Sequence, residues 1–333
     1  MRKLFNLAAA FAVVAAMFSC SKNNDVIIEQ EEYVNATFSV EIPQEILTRS
    51  IGDGKTAKIL DFAVYRSEAY TAPDGTVYPA GEYLAGFSNS ANSTVTKTAD
   101  GEWKVDLVLV KNMKYDIVFW AHAENAPYTF NKAEAKIVVD NYTTSANAEV
   151  RDAFYKCCED YVAINTPIDV DLTRPFAQIN FGADDYDPYV IELGLNVISK
   201  IDTKEHAAEG IVSATVPNTL NVLDGSVSGA EVVDFALAAI PYDAGEKVLI
   251  KYNGKDYSWV AMNYILAGEE NTLGNLRVTF NYNSLDLPLD VTNVPYKRNC
   301  KTNILGSLFT INSEFKVVII PGFDSTLPPI EIN

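Results

Sequence analysis

Hydrophobic and polar side chains alternate in several short stretches of the chain, a pattern typical of β-strands with one buried face. In the stretch 33–42 the alternation runs almost without interruption. The apolar set is Val34, Ala36, Phe38, Val40 and Ile42, and the opposite set is Tyr33, Asn35, Thr37, Ser39 and Glu41. We therefore predict a half-buried strand that ends before Pro43, because proline cannot donate a hydrogen bond to a sheet.

Further strands are predicted in both halves of the chain. The clearest local signal is Asn253-Gly254, because this pair tolerates the positive φ angles of a type I′ turn. It predicts a hairpin between strands 248–252 and 255–262. The other predicted strands are 59–65, 103–110, 115–122, 176–181, 275–282 and 315–320.

One segment has a different period. Val150, Phe154, Cys157 and Tyr161 recur at intervals of four, three and four residues, with charged residues between them. Residues at this spacing share one face of an α-helix, so the segment is predicted as a short amphipathic helix.

Many short strands punctuated by Gly, Asn, Asp and Pro define the expected fold class. We predict an all-β protein with two antiparallel β-sandwich domains and the one short amphipathic helix. The domain boundary is placed near residue 170, after Pro167 and before the strand that begins at Phe176. A chain of 333 residues is long enough to bury a core in each domain.

The N-terminus has the pattern of a secretory signal. Arg2 and Lys3 precede an apolar run, 4–18, that ends at Ser19-Cys20. A small residue directly before a cysteine resembles a lipobox, so we predict cleavage after residue 19 and acylation of Cys20. The alternative is an ordinary signal peptide that is cut nearby and leaves Cys20 a plain thiol.

Composition narrows the class of partner. The formal net charge of -18 argues against nucleic acid and anionic membrane, because binding to phosphates depends on clustered Lys and Arg. Histidine, the commonest general base and a common metal ligand, occurs only at His122 and His206. We expect no enzymatic centre, no cofactor and no metal.

Cys157 and Cys158 could act with His122 as a thiol and base. A reactive cysteine needs electropositive surroundings, however, and Glu159 and Asp160 follow directly. We expect Cys157 to pack in the core and His122 to be hydrogen-bonded or exposed.

Two further candidate sites have ordinary structural interpretations. The stretch Asp184-Asp185-Tyr186-Asp187 could supply calcium ligands, but it lacks the spacing and distal Glu of an EF-hand, so a solvated turn is expected. Trp103, Trp120 and Trp259 could form a sugar platform, but aromatic residues within strands usually pack in the core. No carboxylate pair stands out as that of a glycosidase.

The stretch 294–310 contains the pattern R-N-x-x-T-x-I-x-G. The residues that fill it are Arg298, Asn299, Thr302, Ile304 and Gly306. The sequence here resembles the fimbrillin family, the type V pilins of Bacteroidetes-type bacteria. Arg174, Ala177 and Ile179 are similar to the R-x-x-A-x-I opening of that family's second domain. Cys300 is not expected in the motif.

The resemblance implies a transthyretin-like sandwich in each domain and assembly by strand exchange after an Arg-specific protease removes the first strand. Arg49-Ser50, in the polar segment after that strand, is the expected cleavage site. The implied division is a signal peptide 1–19, a lipidated pro-segment 20–49 with the removable strand, an N-terminal sandwich 50–170 and a C-terminal sandwich 171–333.

The function implied is that of a structural subunit of surface fimbriae, made as an outer-membrane lipoprotein precursor. Its expected partners are other fimbrial subunits, the Arg-specific protease, the outer membrane through the lipid anchor, and a host or bacterial surface ligand. The stretch 315–320 is either the donor strand or the last strand of its own sandwich. The alternatives of other classes are a monomeric surface lipoprotein that binds glycans and a surface glycosidase.

Overall fold

β-Strands dominate the computed structural model, and the only helical elements among the described residues are three single 3₁₀ turns, Ala85–Phe87, Lys132–Glu134 and Glu149–Arg151. The prediction of an all-β sandwich protein is confirmed. The described residues are 32–43, 53–72, 74–87, 92–98, 102–142, 148–186, 196–197, 216–231, 238–239, 242–243, 246–282, 285–309, 314–321, 323 and 330–332. Cys20, Arg49, Ser50 and His206 lie outside them.

The strands follow one another with few other elements between them. The first twelve are β1 (Tyr33–Glu41), β2 (Ile59–Arg66), β3 (Tyr70–Thr71), β4 (Val77–Tyr78), β5 (Ser93–Lys97), β6 (Trp103–Val110), β7 (Lys114–His122), β8 (Tyr128–Asn131), β9 (Lys136–Val139), β10 (Phe154–Val162), β11 (Ile168–Asp171) and β12 (Phe176–Ala183). The others are β13 (Asn196–Val197), β14 (Thr219–Asn221), β15 (Val227–Ser228), β16 (Ala238–Ala239), β17 (Tyr242–Asp243), β18 (Glu246–Lys247), β19 (Leu249–Tyr252), β20 (Lys255–Leu266), β21 (Thr272–Tyr282), β22 (Leu285–Tyr296), β23 (Cys300–Ser307), β24 (Glu314–Pro321) and β25 (Ile330–Ile332).

Every strand predicted from the sequence is present. The predicted hairpin joins β19 and β20, and Asn253 and Gly254 at its turn have φ angles of 49° and 75°. Positive φ at both central positions is what a type I′ turn requires, because its twist matches that of the flanking strands.

The predicted amphipathic helix is wrong. Its segment forms strand β10, and only Glu149–Arg151 before it makes a single 3₁₀ turn. The pairing of β10 with β7 shifts between Cys158 and Tyr161, where one extra residue is inserted and Asp160 has a φ of 51°. The bulge returns Tyr161 to the face of Phe154, so these two residues share a face at a helical spacing of seven, whereas Cys157 points to the opposite face of the strand.

Four sheets contain most of the strands. Their strand orders are β11-β1-β6-β5, β10-β7-β2, β19-β20-β12-β23-β24-β25 and β15-β14-β9-β8. The remaining pairs are β3-β4, β13-β16, β17-β18 and β21-β22.

The sheet β10-β7-β2 is buried on both faces and separates two cores. We call the core on the side of β1 the first core and the other the second core. The first core includes Ala36, Phe38, Val40, Val64, Val105, Leu107, Ile117, Phe119 and Phe154. The second core includes Tyr65, Trp120, Ile137, Tyr155, Ile179, Phe181, Leu220, Tyr264 and Ile304. Alternate residues of β2, β7 and β10 therefore serve different cores.

Residues Tyr33–Asn333 form one unit that holds both cores. Within it, β9 pairs with β14, so one sheet combines strands from both sides of residue 170. The division of the chain into domains stays a prediction. Among the described residues, no helix has the length and apolar character needed to cross a bilayer.

Candidate functional site

Strand β1 lies inside its sheet, with a hydrogen-bonded neighbour on each side. It pairs antiparallel with β6, where Val40 is opposite Trp103, and parallel with β11, where Phe38 is opposite Ile168. The amide of Leu172 extends the second ladder by donating a hydrogen bond of 2.9 Å to the carbonyl of Glu41. Removing β1 would therefore leave a slot with unpaired backbone groups along two strands.

The inward side chains of β1 belong to the first core. Ala36, Phe38 and Val40 are fully buried. The ring centroid of Phe38 lies 5.3 Å from that of Phe119 and 5.0 Å from that of Tyr161, distances typical of attractive tilted and edge-on contacts. The predicted in-and-out pattern of the first strand is confirmed.

Several carboxylates lie close together at the C-terminal end of β1. Glu41 is the register partner of Asp171 on the parallel neighbour β11. Repulsion from Glu102, with burial and the charges of Asp171 and Asp169, raises the pKa of the Glu41 carboxyl. This end is electrostatically unfavourable at neutral pH.

The chain leaves the sheet beyond Ile42, and Gly54 lies close to the side chain of Ile42. Gly54 has a φ of 74°, and a Cβ atom built there would lie 3.0 Å from Ile42 Cγ2 and 3.1 Å from Phe154 Cζ. The start and end of the segment that carries Arg49 therefore lie side by side.

The R-N-x-x-T-x-I-x-G residues form a second constellation, centred on buried Arg298. Its guanidinium donates hydrogen bonds to the hydroxyl of Tyr155 at 2.9 Å, to the carbonyl of Ala267 at 3.2 Å and to the carbonyl of Gly225. Arg298 therefore fastens β10 to loops of the C-terminal half. Tyr155 carries no local sequence signal of this role.

The other motif residues fit tight backbone positions. Asn299 has a φ of 54°, and its amide donates to the carbonyl of Phe176 at 3.0 Å. The buried Thr302 hydroxyl donates to the carbonyl of Pro295 at 2.7 Å. Ile304 is fully buried in the second core.

Gly306 sits where the backbone of β24 leaves no room for a side chain on β23. A Cβ atom there would lie 2.6 Å from the Cα of Phe315 and would overlap the carbonyl oxygen of Glu314. Cys300, between the motif positions, is buried. The motif is explained by packing, and we see no catalytic arrangement in it.

Arg174, from the second quoted resemblance, makes a buried ion pair with Asp152. Its Nε and Nη2 donate to the two carboxylate oxygens at 2.7 and 3.0 Å. The guanidinium also lies 4.5 Å from the ring centroid of Phe154 and 4.0 Å from that of Phe323. These contacts join the first core to the C-terminal segment. No local sequence signal marks Asp152 or Phe323 for these contacts.

The thiol and base of the rejected catalytic site have structural roles. Cys157 and Cys158 pack partly buried against the second and first cores respectively, which confirms the packing expected for Cys157. Burial raises the pKa of Cys158 to about 11 and raises that of Cys157 further. His122 contacts the Asp61 carboxylate at 3.1 Å and the carbonyl of Ala123 at 2.8 Å, so the hydrogen-bonded interpretation is confirmed.

The acidic turn is more ordered than expected. Asp184 accepts a hydrogen bond from Ser307 at 2.8 Å, and Asp185 accepts from the amides of Leu308 and Phe309 at 3.0 and 2.9 Å. These carboxylates hold the end of β23. Within the described residues, no group of three or more His, Cys, Asp or Glu side chains is placed to hold a metal ion. Trp103, Trp120 and Trp259 are buried, as predicted.

The chain belongs to a family of unknown function, DUF6562, whose pattern matches residues 29–330. No curated protein matches the sequence.

Several solved structures are similar to this chain at low identity. They include a fimbrial assembly protein from Parabacteroides distasonis (11% identity, 90% of this chain and 98% of that one, TM-score 0.40). A putative cell adhesion protein from Bacteroides ovatus is similar at 11% identity over 88% and 98%, with a TM-score of 0.46. The tip fimbrial protein Mfa3 from Porphyromonas gingivalis, with a C-terminal truncation, is similar at 11% identity over 87% and 99%, with a TM-score of 0.44.

Proposed function

We propose that the protein is a structural subunit of surface fimbriae, exported as a lipoprotein precursor and polymerised by strand exchange after cleavage at Arg49. Its role is structural and not enzymatic. The resemblance to the fimbrillin family motivates the proposal, and the position of β1 between β6 and β11 is the observation that carries it.

An interior strand at the start of a chain is well suited to replacement. Once the link after β1 is cut, only non-covalent contacts retain the strand. The slot offers backbone partners on both sides and pockets for Ala36, Phe38 and Val40, each side chain of Phe or Val size contributing about 1.5–3 kcal/mol on burial. An incoming strand that supplies the same contacts could displace β1 without an empty intermediate.

The incoming strand would come from a second copy and would have to match the pockets. On β24, Phe315, Val317 and Ile319 repeat the spacing of Phe38, Val40 and Ile42. In the monomer β24 pairs with β23 and β25 of its own sheet, so it would have to leave that sheet before donation. We propose β24 as the donor strand because its apolar spacing matches that of the strand it would replace.

Cleavage tests the proposal directly. Treatment with an Arg-specific protease should convert the wild type into a ladder of oligomers on a native gel, whereas Arg49→Ala should remain monomeric. A matched control is Arg277→Ala, which changes a partly exposed arginine that pairs with Asp290 across β21 and β22 and should assemble like the wild type. Equal assembly of Arg49→Ala and the wild type would refute cleavage at this position.

The donor is tested separately with cleaved protein. Phe315 is 37% exposed in the monomer, so Phe315→Ser should leave folding largely intact while removing the side chain that would fill the Phe38 pocket. We expect slower assembly of Phe315→Ser than of the neighbouring control Glu314→Gln. If both assemble at the wild-type rate, β24 is not the donor.

A further inference from the structure

A short hairpin made of β3 and β4 extends from the end of β2 and displays two tyrosines. Tyr70 and Tyr78 are register partners across the hairpin, so their side chains lie on the same face. The turn is closed by a hydrogen bond of 2.8 Å from the amide of Ala72 to the carbonyl of Thr76. The aromatic pair therefore has a defined geometry.

Arg66 supports the pair. Its guanidinium carbon lies 5.1 Å from the ring centroid of Tyr78 and 6.0 Å from that of Tyr70, and its Nε donates to the Glu82 carboxylate at 3.1 Å. The centroids of the two tyrosine rings are 6.2 Å apart, and the ring planes are inclined to each other by only 26°. Tyr70 nevertheless keeps 45% of its surface exposed. Rigid, exposed aromatic faces lose little entropy when a ligand stacks on them.

We propose that Tyr70 and Tyr78 form a binding platform for a neutral polysaccharide. The apolar faces of sugar rings would stack on the tyrosine rings. The carboxylates of Glu68 and Glu82, in the segments on either side of the hairpin, provide hydrogen-bond acceptors for sugar hydroxyls.

The size of the platform favours a polymer of small units over a protein. An aromatic side chain buries about 150–250 Å², so two tyrosines fall well short of the roughly 800 Å² per partner that a stable protein interface needs. A polysaccharide presents many equivalent rings, and repeated weak contacts raise its apparent affinity.

Charge restricts the polysaccharide to a neutral one. The chain carries a formal net charge of -18, and the cations Arg66 and Lys114 beside the hairpin are already paired with Glu82 and Glu68. A polyanion would be repelled on approach. A neutral sugar polymer meets no such barrier.

Affinity electrophoresis of the uncleaved protein tests the platform independently of fibre assembly. Native gels containing mannan, laminarin, xyloglucan or dextran would be compared with a plain gel and with a heparin gel. We expect at least one neutral polymer to retard the wild type and heparin not to. Tyr70→Ala and Tyr78→Ala should each weaken the retardation roughly fivefold or more, while Tyr70→Phe should keep it.

Val77→Ala is the matched control, because Val77 is exposed on the same hairpin but precedes Tyr78 and so faces the other way. It should bind like the wild type. Absence of retardation by every neutral polymer, or unchanged retardation of both alanine variants at the tyrosines, would overturn the proposal. Stronger retardation by heparin would overturn the ligand class.

Discussion

Arg298 donates a hydrogen bond of 2.9 Å to the hydroxyl of Tyr155, which lies 143 positions earlier in the chain. The same guanidinium also satisfies the carbonyls of Gly225 and Ala267. We expect Arg298→Met to lower the free energy of unfolding by about 2–5 kcal/mol, because it leaves buried acceptors without donors.

Tyr155→Phe removes only one of these bonds and should cost about 1 kcal/mol. Urea unfolding of the two variants and of the double variant measures the coupling. The double variant should lose less than the sum of the single losses, since the residues share one interaction. Strict additivity would show that the contact contributes nothing to stability.

Gly306→Ala should destabilise the protein by more than about 3 kcal/mol. The new methyl group would meet the backbone of Glu314 and Phe315, so β23 and β24 would have to move apart. Gly86→Ala is the control, because a Cβ atom there has open space around it. Similar thermal unfolding of the two variants would contradict the close approach of these strands.

Glu41 should make the retention of β1 dependent on pH. The pKa of Glu41 in the folded protein is raised above the ordinary value of 4.5, so the folded state binds this proton more tightly than the unfolded state does. The resulting contribution to the free energy of unfolding is fully present below pH 4.5 and is lost as the pH rises through the raised pKa. Glu41→Gln should be more stable than the wild type at neutral pH and less dependent on pH above 4.5. Thermal unfolding over this range, with Glu314→Gln as control, tests it. A Glu41→Gln variant with the wild-type pH profile would show that the repulsion is screened.

The thiols of Cys157 and Cys158 should react slowly in the folded protein. With a pKa of about 11, Cys158 is only ~0.1% thiolate at pH 8, and the raised pKa of Cys157 leaves it less ionised. Labelling with a disulfide reagent, mapped by mass spectrometry, should be slow until urea is added. Immediate labelling of either residue in the native protein would require an electropositive environment.

Cys20→Ser should abolish acylation and release the protein from the outer membrane, because the acyl anchor requires the cysteine thiol. The apolar run that ends at Cys20 motivates this prediction. Labelling with radioactive palmitate, followed by membrane fractionation, measures the effect, with Cys300→Ser as control. Undiminished labelling of Cys20→Ser would contradict the lipidation site.

The sequence was informative where local chemistry decides the structure. The alternation from Val34 to Ile42 predicts β1, because the side-chain period of a strand equals the period of burial. Asn253-Gly254 predicts its hairpin, because few other residue pairs accept two positive φ angles.

Prediction failed where distant parts of the chain decide the structure. The bulge between Cys158 and Tyr161 depends on pairing with β7, so the spacing alone indicated a helix. Arg298 and Arg174 bind Tyr155 and Asp152, which lie in other segments of the chain. The residues next to Tyr155 and Asp152 form no motif from which these contacts could be predicted. A motif therefore identified Arg298 but not what it binds.

The position of β1 between β6 and β11 also determines when this strand can pair during translation. β1 is translated before every other strand described, yet its antiparallel partner β6 and its parallel partner β11 emerge only later. Contacts so distant in sequence form slowly, because a long loop must close first. An apolar strand thus waits unpaired while β2 to β5 are made, and during that time it is exposed to aggregation.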